Sequence, residues 1–243
     1  MKTTWHTPAG AVSRLYRDML SQPHLLIAGA TGSGKSVVIN GMMYTALYNA
    51  PCDAEFILVD PKRVELIKYA RLPHVVKYST EPDDMIAALD AALAITEKRF
   101  KAMAKEHVTR YNGADLYVVI DELADLMTTN KRAVQPRLQR LAQIGRAARV
   151  HIIAATQCPL ATVIPTAISV NFDARVALRT RNAQDSRNIL QRTGCELLPR
   201  YGQGYYMTPE GINLWNIPMI PENDLSRMIK YWTSPACRTR SLF

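Results

Sequence analysis

The chain has 243 residues, of which 48% are hydrophobic and 21% charged. This composition excludes an intrinsically disordered protein and suffices for one well-packed α/β domain. The formal net charge of +9 favours a polyanionic partner such as nucleic acid. No apolar run is long enough to cross a bilayer, and the four cysteines form no C-x-x-C pair. We therefore expect free thiols in a reducing cytoplasm, without a disulfide framework or a zinc site.

Hydrophobic periodicity predicts alternating strands and helices. An N-terminal helical segment is expected at residues 1–22, one large domain at 23–233 and a flexible basic tail at 234–243. Strands are predicted at 25–28, 56–59, 75–78, 116–120, 152–155 and 175–178, with a closing hairpin at 204–207 and 212–217. Helices are predicted at 37–50, 82–105, 133–148, 184–192 and 222–232. This alternation indicates an α/β fold with a doubly wound, mainly parallel sheet.

The segment from Gly29 to Ser36 is a complete G-x-x-x-x-G-K-S phosphate-binding loop. It lies between a predicted buried strand and a predicted helix, so backbone N–H groups at the helix start would surround an anion. Lys35 is predicted to reach the β- and γ-phosphates, and the Ser36 hydroxyl to bind Mg²⁺. The pattern predicts ATP or GTP binding. The residues expected to contact the nucleotide are Gly29, Thr31, Gly32, Ser33, Gly34, Lys35, Ser36 and Val37.

Asp121 and Glu122 follow a second predicted buried strand. The run 116–120 is apolar at every position, which is typical of a parallel strand covered on both faces. Carboxylates at the end of such a strand point into the crevice where open α/β sheets bind ligands. We expect Asp121 to hold Mg²⁺ through water and Glu122 to polarise the attacking water. The alternative is a pair of solvated acids, but the upstream loop favours catalysis, and the glutamate favours ATP hydrolysis over a GTP switch.

The basic residues are unevenly distributed. Between Asp125 and Asp173 there is no acidic residue. The basic residues in this stretch are Lys131, Arg132, Arg137, Arg140, Arg146 and Arg149. A charge run is usually a solvated face, but a run of one sign beside a nucleotide site favours contact of some of these side chains with nucleic acid or phosphate.

Several further motifs resemble the motor core of the FtsK/SpoIIIE DNA translocases, in the HerA–FtsK superfamily of P-loop ATPases. They are Asp60-Pro61-Lys62, Asp121-Glu122-Leu123-Ala124-Asp125-Leu126-Met127, Arg140-Leu141-Ala142-Gln143, Arg146-Ala147-Ala148, Ala155-Thr156-Gln157 and Asp185-Ser186-Arg187. The resemblance covers roughly residues 24–217. It implies that residues 23–233 form a RecA-like ATPase motor domain, which assembles as a hexameric ring around double-stranded DNA and hydrolyses ATP with Mg²⁺ between subunits.

The resemblance also implies roles for three residues outside the two nucleotide motifs. Gln157 matches a polar sensor between the γ-phosphate and a DNA-binding loop, although a plain strand-end amide is the alternative. Arg146 matches an arginine finger that enters the neighbouring subunit's ATP site and stabilises transition-state charge there. Arg187 matches a DNA-contacting arginine. For both arginines the alternative is an ordinary solvated side chain.

The predicted DNA-binding loops depart from the family pattern. Cys158, Ser169 and Ala183 stand where the family places basic residues, so the ATPase motifs match better than the DNA contacts. Three interpretations stay open: a double-stranded DNA translocase, with the motor of a conjugative or mobile element as one form of it; a protein-secretion ATPase of the same superfamily; and an assembly platform that binds ATP and DNA without translocating.

Overall fold

The computed structural model describes residues 16–157 and 165–234, without the side chains of residues 166 and 167. Of the predicted N-terminal segment, residues 16–22 are described, and residues 16–20 of these are helical. The position of Cys158 and the tail beyond Ser234 lie outside the described ranges. Within those ranges, no helix combines the length and the apolar character that a membrane span requires.

Eight strands of the described chain form one sheet in the order β3-β2-β4-β5-β1-β6-β7-β8. The strands are β1 His24–Ala28, β2 Ala54–Val59, β3 Val75–Ser79, β4 Asp115–Ile120, β5 Val150–Thr156, β6 Ala174–Ala177, β7 Gln203–Thr208 and β8 Gly211–Asn216. Strands β1 to β6 pair in parallel, and β7 and β8 add an antiparallel edge. The predicted mainly parallel α/β sheet is confirmed.

Helices cover both faces of this sheet. They are α1 Lys35–Asn49, α2 Pro82–Glu106, α3 Leu123–Thr129, α4 Lys131–Ile144, α5 Thr166–Ser169, α6 Ala183–Leu190 and α7 Glu222–Thr233. Leu25 and Ile27 of β1 face the apolar cluster that contains α1 and α7, whereas Leu26 faces the cluster that contains α2, α3 and α4. The apolar run of each central strand therefore supplies two cores, because successive side chains point to opposite faces.

The predicted helix at 133–148 is partly wrong. Helix α4 begins earlier, where the Asn130 side chain accepts a hydrogen bond from Ala133 N at 3.2 Å, and it ends at Ile144. Residues 145–149 form a turn that closes when Val150 N donates to Gly145 O at 2.9 Å. The buried Arg99 guanidinium donates hydrogen bonds to the carbonyls of residues 148 and 149 at 2.9 and 3.0 Å. The left-handed φ of 54° at Arg149 completes this turn, and the Arg99 contacts hold the end of the turn in place. Helix α3 was not predicted.

A charged network secures the amino-terminal edge of the sheet, next to this turn. Asp115 accepts hydrogen bonds from Arg149 at 2.7 and 2.5 Å, and its Oδ1 lies 3.0 Å from Nε2 of His151. Burial alone would raise the pKa of Asp115, but its hydrogen bonds to Arg149 and His151 hold that pKa down at about 2. The turn that carries Arg146 is therefore fixed at both of its ends.

We predict that Gly41→Ala destabilises the fold, although alanine is the better helix former. Gly41 lies in α1, and a β-carbon there would overlap the ring of the fully buried Tyr16. Overpacking of this kind costs about 1–3 kcal/mol, which urea denaturation measures. In a Tyr16→Ala background the same substitution should be neutral or stabilising. An equal loss of stability in both backgrounds would contradict the packing explanation.

Candidate functional site

The phosphate-binding loop joins β1 to α1 at the carboxyl edge of the sheet. Gly32 and Gly34 have φ values of 70° and 104°, a left-handed region that glycine adopts without a steric penalty. Gly29 has no space for a side chain, because a β-carbon there would lie 2.6 Å from Ser33 Oγ and 2.8 Å from Leu178 Cβ. The loop therefore leads into helix α1, and its glycines Gly32 and Gly34 line the cleft.

Lys35 is held across this loop. Its Nζ donates to the carbonyls of Gly29 at 2.8 Å and Ala30 at 3.0 Å. Burial lowers its pKa to about 8, while the nearby carboxylates of Glu122 and Asp121 act in the opposite direction. Lys35 therefore carries its charge at neutral pH, beside the position where the loop would bind phosphate.

Asp121 lies where β4 ends, and it lines the same cleft as Ser36. The pKa of Asp121 is raised to about 6. Burial is the main cause, and the charges of Asp60 and Glu65 contribute in the same direction. Asp60 is fully buried, and among the described residues its Oδ1 has no hydrogen-bond partner. This part of the cleft has more negative charge than the protein compensates.

That charge excess fits a divalent cation. Mg²⁺ is typically held by one or two protein oxygens together with water and substrate phosphates, and Ser36 and Asp121 can provide such oxygens. Within the described ranges, no three His, Cys, Asp or Glu side chains cluster to hold a metal ion by themselves. A nucleotide-linked Mg²⁺ needs no such cluster.

Glu122 is 2% exposed and is hydrogen-bonded through both of its carboxylate oxygens. Its Oε1 accepts from Gln157 N at 3.0 Å, and its Oε2 accepts from Lys62 Nζ at 3.0 Å. The Thr31 hydroxyl donates to Gln157 Oε1 at 2.6 Å. A continuous series of hydrogen bonds thus links the phosphate loop, the end of β5 and the glutamate.

Lys62 is a site residue for which the sequence suggested no role. It follows β2, the neighbour of β4 in the sheet. The contact with Glu122 raises the pKa of Lys62, although burial alone would lower it. The signal for it was the Asp60-Pro61-Lys62 motif, which identified a family resemblance without indicating a partner for the lysine.

The cleft enclosed by these elements measures about 400 Å³, within the usual range for small-ligand sites. The residues that line it are Thr31, Gly32, Gly34, Lys35, Ser36, Val37, Lys62, Val64, Glu65, Asp121, Gln157 and Tyr201. Of the predicted nucleotide contacts, Gly29 and Ser33 pack against each other and do not line it. Sequence reasoning missed Val64, Glu65 and Tyr201, which belong to no nucleotide motif.

Arg146 lies far from this cleft. It is exposed in the turn before β5, at the amino edge of the sheet. The phosphate loop and Gln157 lie at the carboxyl edge, because Ala28 pairs with Thr156 at the strand ends. The seven residues of β5 separate the two edges by roughly 20 Å at about 3.3 Å per residue. Arg146 lines a different cavity of about 500 Å³ together with Arg110.

Arg187 is exposed on α6 and has no ion pair with any residue in the described part of the chain.

The stretch between Asp125 and Asp173, which contains no acidic residue, has fewer unpaired arginines than its sequence suggests. Arg137 pairs with Asp90 at 2.7 Å, Arg149 with Asp115 at 2.5 Å and Arg140 with Glu97 at 3.9 Å. Several of its arginines are thus partly neutralised by acids from other elements.

We predict that Mg²⁺-dependent ATP binding weakens as the pH falls through about 6. Asp121 must be ionised to help hold Mg²⁺, and its pKa is about 6 in the free protein. At pH 5 roughly one Asp121 in ten is ionised, so affinity should be about tenfold lower than at pH 7.5. Titration with a fluorescent ATP analogue measures this. Asp121→Asn should bind weakly at both pH values without the step, and an unchanged step in that variant would assign it to another group.

The comparisons with known sequences agree with these observations. The family model described as the FtsK/SpoIIIE family matches residues 8–115 and 110–161. A DNA translocase FtsK 1 of Neisseria meningitidis serogroup B is 32% identical over 90% of this chain and 31% of its own length. A DNA translocase FtsK of Clostridium acetobutylicum is 41% identical over 74% of this chain and 26% of its own length. The chain thus spans about a third or less of these relatives.

Solved structures share the fold. The conjugation coupling protein TcpA of pCW3, solved as a monomer with ATPγS, superimposes with a TM-score of 0.76 at 24% identity, covering 87% of this chain and 66% of that one. The cytoplasmic domain of the type VII secretion ATPase EccC of Thermomonospora curvata gives a TM-score of 0.73 at 22% identity, covering 88% and 28%. The fold is therefore shared by a conjugation coupling protein and a type VII secretion ATPase.

Proposed function

The chain belongs to the FtsK/SpoIIIE family, and from that membership we propose that it is an ATPase motor that moves along double-stranded DNA in the cytoplasm. One observation carries the ATPase part of the proposal. Glu122 is buried at the end of β4 and is held through Gln157 to Thr31 of the phosphate loop, and its neighbour Asp121 lines the cleft together with Lys35. DNA comes into the proposal from the relatives that are named DNA translocases.

The proposed hydrolysis uses groups already in place. The loop N–H groups and Lys35 would bind the phosphates, and Ser36 and Asp121 would hold Mg²⁺, which would supply positive charge near the transferred phosphoryl group. Glu122 orients the attacking water and accepts its proton. The Lys62 ammonium now occupies one oxygen of Glu122, so that oxygen must be released before it can accept a proton.

We propose that hydrolysis needs a second copy of the chain. Arg146 is exposed and lies an entire strand length from its own cleft, so as an arginine finger it would serve the cleft of a neighbour. A head-to-tail arrangement that places the amino edge of one sheet against the carboxyl edge of the next would supply it. A closed hexameric ring is the form of this arrangement that the family resemblance implies, with Arg187 among the residues facing the DNA.

Protein secretion is the second candidate. The fold is shared with the type VII secretion ATPase EccC, and Cys158 and Ser169 stand where basic DNA contacts were expected. Without basic side chains at these two positions, less positive charge is available to bind DNA phosphates. A polypeptide substrate would need none of that charge.

The deciding experiment measures the ATPase rate with and without linear duplex DNA at low and moderate salt. We expect DNA to raise the rate and salt to reduce the stimulation, because each neutralised phosphate releases a counterion.

Glu122→Gln should bind ATP and lose about 10²-fold or more in turnover, and Lys35→Ala should lose ATP binding. Arg187→Ala should keep the basal rate and lose stimulation. A DNA-independent rate, together with no duplex binding at low salt, would favour the secretion candidate. ATPase stimulated by DNA without displacement of a triplex-forming strand would favour a non-translocating platform.

A second experiment tests whether Arg146 acts in trans. Arg146→Ala should bind ATP normally and hydrolyse it slowly. Mixed with Lys35→Ala, it should recover part of the activity, because some interfaces then combine an intact cleft with an intact arginine. Arg140→Ala is the matched control, since Arg140 is also an exposed arginine in the same acid-free stretch, and it should stay active. No recovery in mixtures shown to co-assemble would mean that Arg146 acts within its own chain or only structurally.

A further inference from the structure

An exposed aromatic side chain lies at the mouth of the nucleotide cleft. Tyr201 exposes 61% of its surface, yet it lines the cleft together with Gly32 and Lys35. Large aromatic rings are normally buried, because each covers much apolar area. A ring left open beside a nucleotide site is available to stack on a flat heteroaromatic ligand.

Arg200, the preceding residue, reaches the phosphate-binding loop itself. Its Nη2 lies 3.5 Å from the position that a β-carbon would occupy at Gly32. Its guanidinium also lies over the Tyr201 ring, with Cζ 5.2 Å from the ring centroid. Arg200 is exposed and pairs with no carboxylate of the described chain. A guanidinium without an acidic partner at the edge of a phosphate loop suits a phosphate oxygen, which it can bind in a bidentate manner.

The fold holds both residues at this place. They lie just before β7, which runs antiparallel to β6, and Ala177 at the end of β6 pairs with Tyr205 of β7. The start of β7 therefore projects at the same carboxyl edge as the phosphate loop. The segment is fixed because Ile217 N donates to Gly202 O at 2.8 Å. Tyr201 and Arg200 thus lie next to a hydrogen-bonded segment at the start of β7.

We propose that Arg200 and Tyr201 form a clamp on the nucleotide, in which the Tyr201 ring stacks on the base and the Arg200 guanidinium binds the phosphates. This inference rests on the proposed ATP binding and adds a second, sequence-distant half to the site. The phosphate-binding loop recognises phosphate alone, so it does not distinguish a nucleotide from other polyphosphates. Stacking on Tyr201 gives the chain a contact that depends on the base.

The test compares two ligands, Mg·ATP and Mg·tripolyphosphate, which share the phosphates and differ in the nucleoside. Affinities come from calorimetry on the whole chain. Tyr201→Ala should weaken ATP binding about tenfold, as expected for loss of one aromatic–base stack, and leave tripolyphosphate binding unchanged. Tyr201→Phe keeps the ring and should bind like the parent. Arg200→Ala should weaken both ligands by a similar factor.

Arg192 provides a matched control for Arg200. Its guanidinium also lies over a tyrosine, Tyr205, at 5.1 Å, and it is exposed, but, unlike Arg200, it is not the side chain found beside Gly32 of the phosphate loop. Arg192→Ala should therefore leave both affinities unchanged, and a loss equal to that of Arg200→Ala would show only a general effect of removing positive charge. Thermal unfolding of each variant checks that the fold is kept.

Two results would overturn the clamp while leaving ATP binding intact. One is an unchanged ATP affinity in Tyr201→Ala, and the other is unchanged affinity for both ligands in Arg200→Ala, each with Lys35→Ala showing its expected loss. Failure of the parent chain to bind either ligand would instead refute the proposed function. An Arg200→Ala variant that binds both ligands normally but loses duplex DNA binding would reassign that arginine to DNA.

Discussion

The alignment of parallel strand ends is the constraint on which the candidate site depends. Ala28 pairs with Thr156, and Ile120 pairs with Ala154, so β1, β4 and β5 finish at one edge of the sheet. The phosphate loop, the acidic pair and Gln157 each follow one of these ends directly. Three segments that are far apart in the chain therefore meet without any long loop. The two apolar clusters on the faces of the sheet keep that edge in place.

Electrostatics at this edge prepares the cleft for a charged ligand. Lys35 and Lys62 face the carboxylates of Asp121 and Glu122, and burial strengthens each interaction because little solvent screens it. The cations are already used within the protein, Lys35 by loop carbonyls and Lys62 by Glu122. Burial raises the pKa of Asp121, and the neighbouring carboxylates act in the same direction. Under the proposed function, Mg²⁺ would supply a cation for these acids, and the nucleotide phosphates would compete for the lysines with their present protein partners.

The opposite edge of the sheet has a different organisation. A network of hydrogen bonds lies there and involves Arg99, Asp115, Arg149 and His151. Arg146 projects from a turn that this network holds. One chain thus has a cleft at one edge and a free arginine at the other. Under the proposed function, this separation is the reason why a repeating head-to-tail assembly would bring the two edges together.

The sequence by itself determined the parts that depend on neighbouring residues. The phosphate loop, the apolar strand ending in Asp121-Glu122 and the α/β alternation were predicted correctly, because strand and glycine-turn patterns are written in consecutive residues. Only the tertiary structure decided which distant groups meet. The partner of Glu122 is Lys62 because β2 lies beside β4, and the mouth of the cleft contains Tyr201 because β7 adds antiparallel to β6. The turn after helix α4 is held by Arg99 of helix α2, which donates to the carbonyls of residues 148 and 149. Strand order and long-range hydrogen bonds leave no periodic trace in the chain, so these contacts could be known only from the folded sheet.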